Sequence, residues 1–165
     1  LHRVDRRQRQ MCIRDSPTIG VNYKKSYLMK IGIIAGNFDI IHMGYIHMFN
    51  DCKNYCDKLL VLLHEDPSIE RPHKLKPIHT VEERKMLLYS LRQVDGILCY
   101  RLEKDLLELL KKVEIHVRFL GTDYIDKSFT GDDLDIPIQY IDRSHGWSTT
   151  KYKTLISESF TFSEK

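Results

Sequence analysis

The chain has 165 residues, a length that suits one domain with one hydrophobic core. Its composition, 42% hydrophobic and 30% charged, is typical of a globular protein, and no apolar run approaches the roughly 20 residues of a membrane span. The net charge of +3 comes from residues 1–25, with seven basic and two acidic side chains, so the remainder is near neutral and excludes the basic footprint of a duplex-binding protein. We therefore predict a soluble protein that binds neither nucleic acid nor a membrane.

The composition also predicts how the chain is divided. Residues 1–27 are rich in Arg and Gln without strand or helix periodicity, and we interpret them as a disordered or foreign N-terminal extension. Residues 28–157 are predicted to form one domain, and residues 158–165 a C-terminal tail. The four cysteines include no C-x-x-C pair, which favours reduced thiols and a cytoplasmic location.

The predicted elements alternate between strand and helix along the domain. Short apolar runs predict strands at residues 30–35, 58–64, 95–100, 115–120 and 137–141. Helices are predicted at residues 45–55, 80–92, 103–113 and 148–156, the second with Thr80 and Glu83 as a capping box. This alternation is typical of an α/β fold, here a five-stranded parallel sheet flanked by helices in a single domain.

Polar loops follow four of these strands. Ligands of open α/β sheets bind beyond the carboxyl ends of the strands, so the loops at residues 36–44, 64–79, 121–126 and 142–150 are the expected site. The loop at residues 64–79 is long, as functional loops of compact domains often are.

The first loop reads Gly-Asn-Phe-Asp-Ile-Ile-His-Met-Gly from Gly36 to Gly44. His42 lies just before a predicted helix, where free backbone N–H groups and the helix dipole attract phosphate. A lone histidine beside a glycine is also common as a structural residue. The placement between strand and helix favours a phosphate site without deciding between the two interpretations.

The last loop reads Arg-Ser-His-Gly-Trp-Ser-Thr-Thr from Arg143 to Thr150. Hydroxyl groups and backbone N–H groups at a helix N-terminus can bind an anion, and Arg143 can add charge-assisted hydrogen bonds. A plain N-cap at Ser148 explains one of the hydroxyls but not the neighbouring Arg, Gly and Thr residues.

These two loops resemble the G-x-F-D-x-x-H-x-G-H and R-x-x-G-x-S-T-T signatures of the cytidylyltransferase-like nucleotidyltransferases. The similarity runs from about residue 30 to 156 and is greatest to the glycerol-3-phosphate cytidylyltransferases. It implies a Rossmann-like (HUP-type) fold. It also implies an enzyme that transfers CMP from CTP to a phosphorylated small molecule, such as glycerol 3-phosphate or a similar alcohol phosphate, and releases pyrophosphate.

The resemblance also implies roles for individual residues. The expected catalytic residues are His42, Lys76 and Arg143, and the acceptor is expected beside Asp66, Arg92 and Asp95. The residues expected to bind the nucleotide lie in three loops and at two helix starts: Gly36, Asn37, Phe38, His42, Gly44, Tyr45, Lys74, Gly121, Asp123, Arg143, Gly146, Ser148, Thr149 and Thr150. Mg²⁺ is expected to arrive with the nucleotide rather than on dedicated protein ligands, and a homodimer is expected.

One position departs from the family pattern. Tyr45 stands where the second histidine of H-x-G-H is expected, and a tyrosine hydroxyl donates a hydrogen bond but stays neutral near pH 7. Two alternatives therefore stay open. One is an adenylyltransferase of the same superfamily that uses ATP and a sugar phosphate or another phosphate acceptor. The other is a nucleotide-binding relative without catalysis.

Overall fold

The computed structural model describes residues 29–162. Five strands and four helices alternate through this part of the chain. The strands are β1 (Ile31–Gly36), β2 (Lys58–His64), β3 (Gly96–Tyr100), β4 (Val117–Gly121) and β5 (Ile138–Ile141). The helices are α1 (Met43–Lys53), α2 (Val81–Tyr89), α3 (Glu103–Lys112) and α4 (Thr149–Phe162), with a 3₁₀ turn at Thr122–Tyr124.

The strands form one fully parallel sheet in the order β3-β2-β1-β4-β5. This is a Rossmann-like order, and it confirms the predicted fold class. From β1 the chain adds β2 and β3 on one side of the sheet and then β4 and β5 on the other. The crevice beyond the carboxyl ends of β1 and β4, where the two halves meet, is therefore the expected place for a ligand. Apart from Arg118, both of these strands are apolar because helices cover both faces of the sheet.

The core has two parts, one on each face of the sheet. On the first face, Phe49 and Cys52 of α1 and Leu88 of α2 pack against Ile34 and Phe119. On the second face, Leu106 and Leu110 of α3 pack against Ile33, Leu62 and Tyr100. Strand residues alternate between these two clusters, as the two-residue period of a strand requires.

Local signals in the sequence locate most helix starts correctly. Thr80 accepts a hydrogen bond from the Glu83 backbone N–H, and the Glu83 carboxylate accepts one from Thr80, so the predicted capping box is present. Ser148 accepts a hydrogen bond from the Lys151 backbone N–H, which is the predicted N-cap of α4.

Two helix ends differ from the prediction. α2 stops at Tyr89 rather than residue 92, because the chain must leave the helix for Val94 to enter the core and for Asp95 to bind β2. α4 continues to Phe162 rather than stopping near residue 156, and no Gly or Pro interrupts it. Residues 158–162, predicted as tail, are therefore helical. The predicted extension at residues 1–27 lies outside the described residues.

Candidate active site

A cavity of about 790 Å³ lies at the carboxyl ends of the strands, and we call it the main cavity. Its walls include the ends of β1, β4 and β5, the loop after β2 and the start of α4. Most of the residues predicted to bind nucleotide line it: Gly36, Asn37, Phe38, Tyr45, Lys74, Gly121, Arg143, Ser148, Thr149 and Thr150. The structure therefore brings most of the residues predicted to bind nucleotide to one cavity.

The first and last loops, far apart in the chain, meet at this cavity. The Tyr45 hydroxyl oxygen lies 3.2 Å from Oγ1 of Thr149. The His42 and Tyr152 rings stack with their centroids 5.3 Å apart, and the His47 and Trp147 rings stack at 5.4 Å. The N-termini of α1 and α4 therefore face the same space, where their free N–H groups can bind one anion.

His42 is the N-cap of α1. Its Nδ1 accepts a hydrogen bond from the Gly44 backbone N–H at 3.1 Å, so Nε2 carries the proton of the neutral ring and is free to donate. Burial, and then the positive neighbours His145 and Arg143, lower the pKa of His42. The ring is stacked between Tyr45 and Tyr152 and is only 9% exposed, and His42 is not among the residues that line the main cavity.

At three of the predicted glycine positions, a different physical reason favours a residue without a side chain. A Cβ at Gly44 would lie 2.7 Å from the His145 ring, so the absent side chain makes room for the last loop rather than directly for phosphate. A Cβ at Gly121 would overlap Asp123 and the aliphatic part of Arg143. Gly146 has a φ of +74°, a left-handed conformation that favours glycine. Gly44 and Gly146 do not line the main cavity, but each shapes the loop beside it.

Arg143 and Asp123 form a loose ion pair, with Nη1 and Oδ1 3.7 Å apart. Arg143 lines the main cavity and Asp123 does not. Because both side chains are partly exposed to solvent, the pair is weak and leaves the guanidinium free to bind an anion.

Asp39 organises the site, and the residue-by-residue prediction missed it. Its carboxylate is fully buried and accepts hydrogen bonds from the backbone N–H groups of Ile78 and His79, and Lys153 donates to it at 2.7 Å. Burial alone would raise the pKa of Asp39, but these donors hold it below its usual value. Asp39 is the D of the first signature, so the signature itself was the available signal.

Arg84 is a second residue that holds the site in place and was not predicted from the sequence. While its Nε donates to the N-terminal flank of α2, the two Nη atoms of the buried guanidinium donate to the backbone carbonyl oxygens of Asn37 (2.8 Å), His64 (2.8 Å) and Glu65 (2.6 Å). These carbonyls lie just after β1 and at the end of β2. Arg84 therefore fixes the two loops that form one side of the main cavity.

The main cavity carries an excess of positive charge. Five cationic side chains line it, against the two carboxylates of Glu103 and Asp132. The cationic residues are Arg71, Lys74, Arg118, Arg143 and Lys153. Arg118 was not predicted as a site residue, although a charged residue inside an otherwise apolar strand is visible in the sequence. Lys153 is paired with the buried Asp39, and Arg71 with Glu103. Lys74, Arg118 and Arg143 are therefore the cations best placed to bind anionic groups.

Lys76 was predicted to be catalytic and Asp66 to bind the acceptor. Both line a second cavity of about 410 Å³ instead. This second cavity lies between the loop after β2 and the start of α2. The Asp66 carboxylate accepts hydrogen bonds from Ser68, and the Lys76 carbonyl accepts one from Lys153. Of the two predicted lysines, only Lys74 reaches the main cavity.

Arg92 and Asp95 do not belong to either cavity. The Asp95 carboxylate accepts hydrogen bonds from Lys53, Lys58 and the Leu59 backbone N–H. Leu59 lies at the start of β2, so Asp95 is at the amino edge of the sheet, opposite the main cavity. Its role there is structural, and the structure does not bring these two residues to the predicted acceptor site.

Within residues 29–162, no group of three or more His, Cys, Asp or Glu side chains is arranged to hold a metal ion. In the same range, no helix has both the length and the apolar character needed to cross a bilayer.

Comparison with known proteins agrees with this geometry. A family model described as cytidylyltransferase-like matches residues 33–154. The bifunctional protein HldE of Aliarcobacter butzleri is 30% identical over 131 residues, covering 79% of this chain and 27% of that protein. The HldE of Wolinella succinogenes is 32% identical over 144 residues, covering 87% and 30% respectively. The chain thus spans less than a third of these relatives.

A solved structure shows similarity of fold as well. The lipopolysaccharide core biosynthesis protein of Thermoplasma volcanium superposes with a TM-score of 0.55 at 26% sequence identity. The match covers 69% of this chain and 95% of that protein. With the family match, the two converging loops and the sheet order in agreement, this chain belongs to the cytidylyltransferase-like nucleotidyltransferase family.

Proposed function

We propose that this protein transfers a nucleoside monophosphate from a nucleoside triphosphate, with CTP favoured, to a phosphorylated small molecule and releases pyrophosphate. The observation that carries the proposal is the meeting of the α1 and α4 N-termini at one cationic cavity, with Tyr45 and Thr149 in contact. Two helix N-termini and five cationic side chains suit a triphosphate and a second anion together.

The reaction requires positioning and charge stabilisation more than proton transfer. A phosphate oxygen of the acceptor forms a bond to the α-phosphorus, and the bond from that phosphorus to the bridging oxygen of the β-phosphate breaks. The acceptor phosphate is already an anion at neutral pH, so it requires no general base. The protein has to hold two anions together and stabilise the charge that develops on the departing pyrophosphate.

Different residues around the cavity are assigned to binding the phosphates and stabilising their charge. Arg143, Ser148 and Thr149 at the start of α4 are placed to bind the β- and γ-phosphates. Lys74 from the loop after β2 adds a positive charge to the cavity lining. We assign His42, the N-cap at the start of α1, the role of a neutral Nε2–H donor toward the α-phosphate.

Mg²⁺ enters as part of the substrate, bound to the nucleotide phosphates. The donor set agrees with this, because the start of α4 offers hydroxyl groups rather than a cluster of carboxylates. A magnesium ion that keeps several waters and binds mainly phosphate oxygens needs few protein ligands.

The direct test is a pyrophosphate-release assay with CTP and ATP, each against glycerol 3-phosphate and a set of sugar phosphates. We expect release that depends on both a nucleotide and an acceptor, with CTP as the better donor. Calorimetric binding of CTP without release from any acceptor would support the non-catalytic alternative and contradict the proposed activity. Controls without acceptor report simple hydrolysis of the nucleotide.

A second candidate is adenylyl transfer from ATP to a sugar phosphate. The observation in its favour is the structural match to a lipopolysaccharide core biosynthesis protein, since lipopolysaccharide cores are built from sugars. The same assay distinguishes the two, because the second candidate requires ATP to exceed CTP and sugar phosphates to exceed glycerol 3-phosphate.

A further inference from the structure

Arg118 is an unusual residue for its place in the fold. It lies in β4, one of the inner strands of a parallel sheet, with Ile33 and Ile138 as its neighbours across the strands. Such positions are normally apolar because both faces of the sheet are covered. Arg118 is only 3% exposed to solvent, yet it lines the main cavity.

The guanidinium of Arg118 is only partly satisfied by the protein. Nη1 donates to the Thr130 carbonyl oxygen at 2.6 Å, and the group lies over the Phe129 ring at 5.1 Å from its centroid. Its Nε is buried and has no hydrogen-bond partner within the described part of the chain. Most buried side-chain N–H groups are paired, so this unpaired one marks an unmet hydrogen-bonding capacity in the wall of the main cavity.

The nearby carboxylates are already engaged elsewhere. Glu103 accepts from Arg71 at 2.6 Å and from the Thr130 hydroxyl, and Asp132 accepts from the Phe129 backbone N–H at 3.3 Å. Among residues 29–162, none forms an ion pair with Arg118 within 4 Å. A buried cation without an ionic partner is costly, and a bound anion would offset that cost.

Arg118 also lies on the other side of the sheet from the start of α1. It has the same orientation as Ile33, so it faces the α3 side of the sheet with Tyr100 and Leu106. Tyr45 packs with the core on the opposite side of the sheet, the α1 side. The main cavity passes over the carboxyl edge of the sheet and joins the two sides.

We propose that Arg118 is an acceptor-specificity residue that binds a second anionic group of the acceptor, a phosphate or a carboxylate, at the end remote from the reacting phosphate. This rests on the proposed function, and it narrows the substrate class to small phosphorylated molecules with two anionic groups. Arg71, which shares Glu103 with this network, completes the positive wall of the subsite.

The test compares acceptors that differ only in the second anion. 3-Phosphoglycerate against glycerol 3-phosphate tests a carboxylate, and glucose 1,6-bisphosphate against glucose 1-phosphate tests a second phosphate. For at least one pair, we expect kcat/KM of the wild-type protein to be about tenfold higher or more for the doubly anionic member, the usual scale for a charged hydrogen bond. Equal or lower kcat/KM for both doubly anionic acceptors would overturn the inference without any variant.

Variants then test whether Arg118 causes the preference for the doubly anionic acceptor. Arg118→Met keeps an unbranched apolar stem without the charge, and we expect it to remove the preference mainly through KM of the doubly anionic acceptor. Arg118→Lys should retain part of it. Lys111→Met, at an exposed position on α3 outside both cavities, is the matched control. Equal loss of kcat/KM for all acceptors in Arg118→Met, with an unchanged preference ratio, would mean a structural role only.

Calorimetry separates this inference from the proposed activity. Absence of pyrophosphate release with every nucleotide and acceptor contradicts the proposed function. The same four acceptors are then titrated into the protein without nucleotide. Tighter binding of a doubly anionic member than its partner, lost in Arg118→Met, supports the subsite, and equal binding within both pairs overturns it.

Discussion

The hydroxyl oxygen of Tyr45 lies 3.2 Å from Oγ1 of Thr149 and joins the start of α1 to the start of α4. Tyr45 stands where the family signature has its second histidine, so the departure in sequence has a structural counterpart. Burial raises the pKa of the Tyr45 hydroxyl, although the hydrogen bond with Thr149 acts in the opposite direction. Tyr45 is therefore a neutral group that both lines the cavity and positions a hydroxyl of the last loop.

Tyr45→Phe should weaken nucleotide binding, because it removes this hydrogen bond and leaves Thr149 without its partner from α1. One hydrogen bond contributes about 1 kcal/mol net, so the dissociation constant for the nucleotide should rise about fivefold. Calorimetric titration with CTP and ATP measures this. Tyr89→Phe, at an exposed position on α2, is the control. Unchanged affinity in Tyr45→Phe would separate this hydroxyl from nucleotide binding.

His42 combines two roles that substitutions can separate. His42→Ala should lower turnover about 10²–10³-fold through loss of a transition-state donor, and should cost about 1 kcal/mol of stability through loss of the N-cap. Asparagine is a good N-cap, so His42→Asn should recover most of the stability but not the turnover. Steady-state kinetics and urea unfolding report the two effects. Wild-type turnover in His42→Asn would remove the imidazole from the mechanism.

The buried pair of Asp39 and Lys153 should be important for folding. Lys153→Met leaves the Asp39 carboxylate, which is fully buried, without its cation, and breaking a buried pair costs about 3 kcal/mol or more. Urea unfolding measures the loss. Lys151→Met, on the same helix but exposed, should change stability little. If both variants unfold at the same urea concentration, the pair contributes little. Asp39→Asn combined with Lys153→Met should recover part of the loss, because no unpaired charge then remains.

Stability should depend on pH in the range where histidine titrates. Burial first, and then positive neighbours, lower the pKa of His42, and burial lowers the pKa of His64, although the Arg101 carbonyl bound to His64 acts in the opposite direction. The unfolded chain, with an ordinary histidine pKa of about 6.5, therefore binds more protons than the folded protein at mildly acid pH. Stability from both groups is fully present above about pH 6.5 and is lost as pH falls through their lowered values.

Thermal unfolding between pH 7.5 and pH 5 tests this dependence. His64→Gln, whose amide can still donate to the Arg101 carbonyl, should unfold with a shallower pH dependence than the wild-type protein. An identical slope in both proteins would mean that His64 does not contribute. The Asp39 carboxylate acts in a separate range, because its lowered pKa makes its contribution disappear only below its ordinary value of 3.8.

Local patterns in the sequence determined the elements and the general position of the site. Apolar runs marked the five strands, and the Thr80 and Ser148 caps marked the starts of α2 and α4, because both signals depend on residues only a few positions apart. Polar loops after the strands marked the carboxyl edge of the sheet as the binding face. The two signature loops were enough to assign the family.

Only the tertiary structure decided which side chains share a cavity. From the sequence, Lys74 and Lys76 were both predicted to lie in the site, yet they line different cavities. Asp95 was predicted to lie beside the acceptor, although its carboxylate lies at the opposite edge of the sheet. Nor could it show that His42 is stacked between two rings, or that Arg118 is a buried cation without an ion pair in the described chain. Periodicity and caps arise from neighbours in sequence, whereas the surroundings of a side chain depend on strand register and on loops that return from far along the chain.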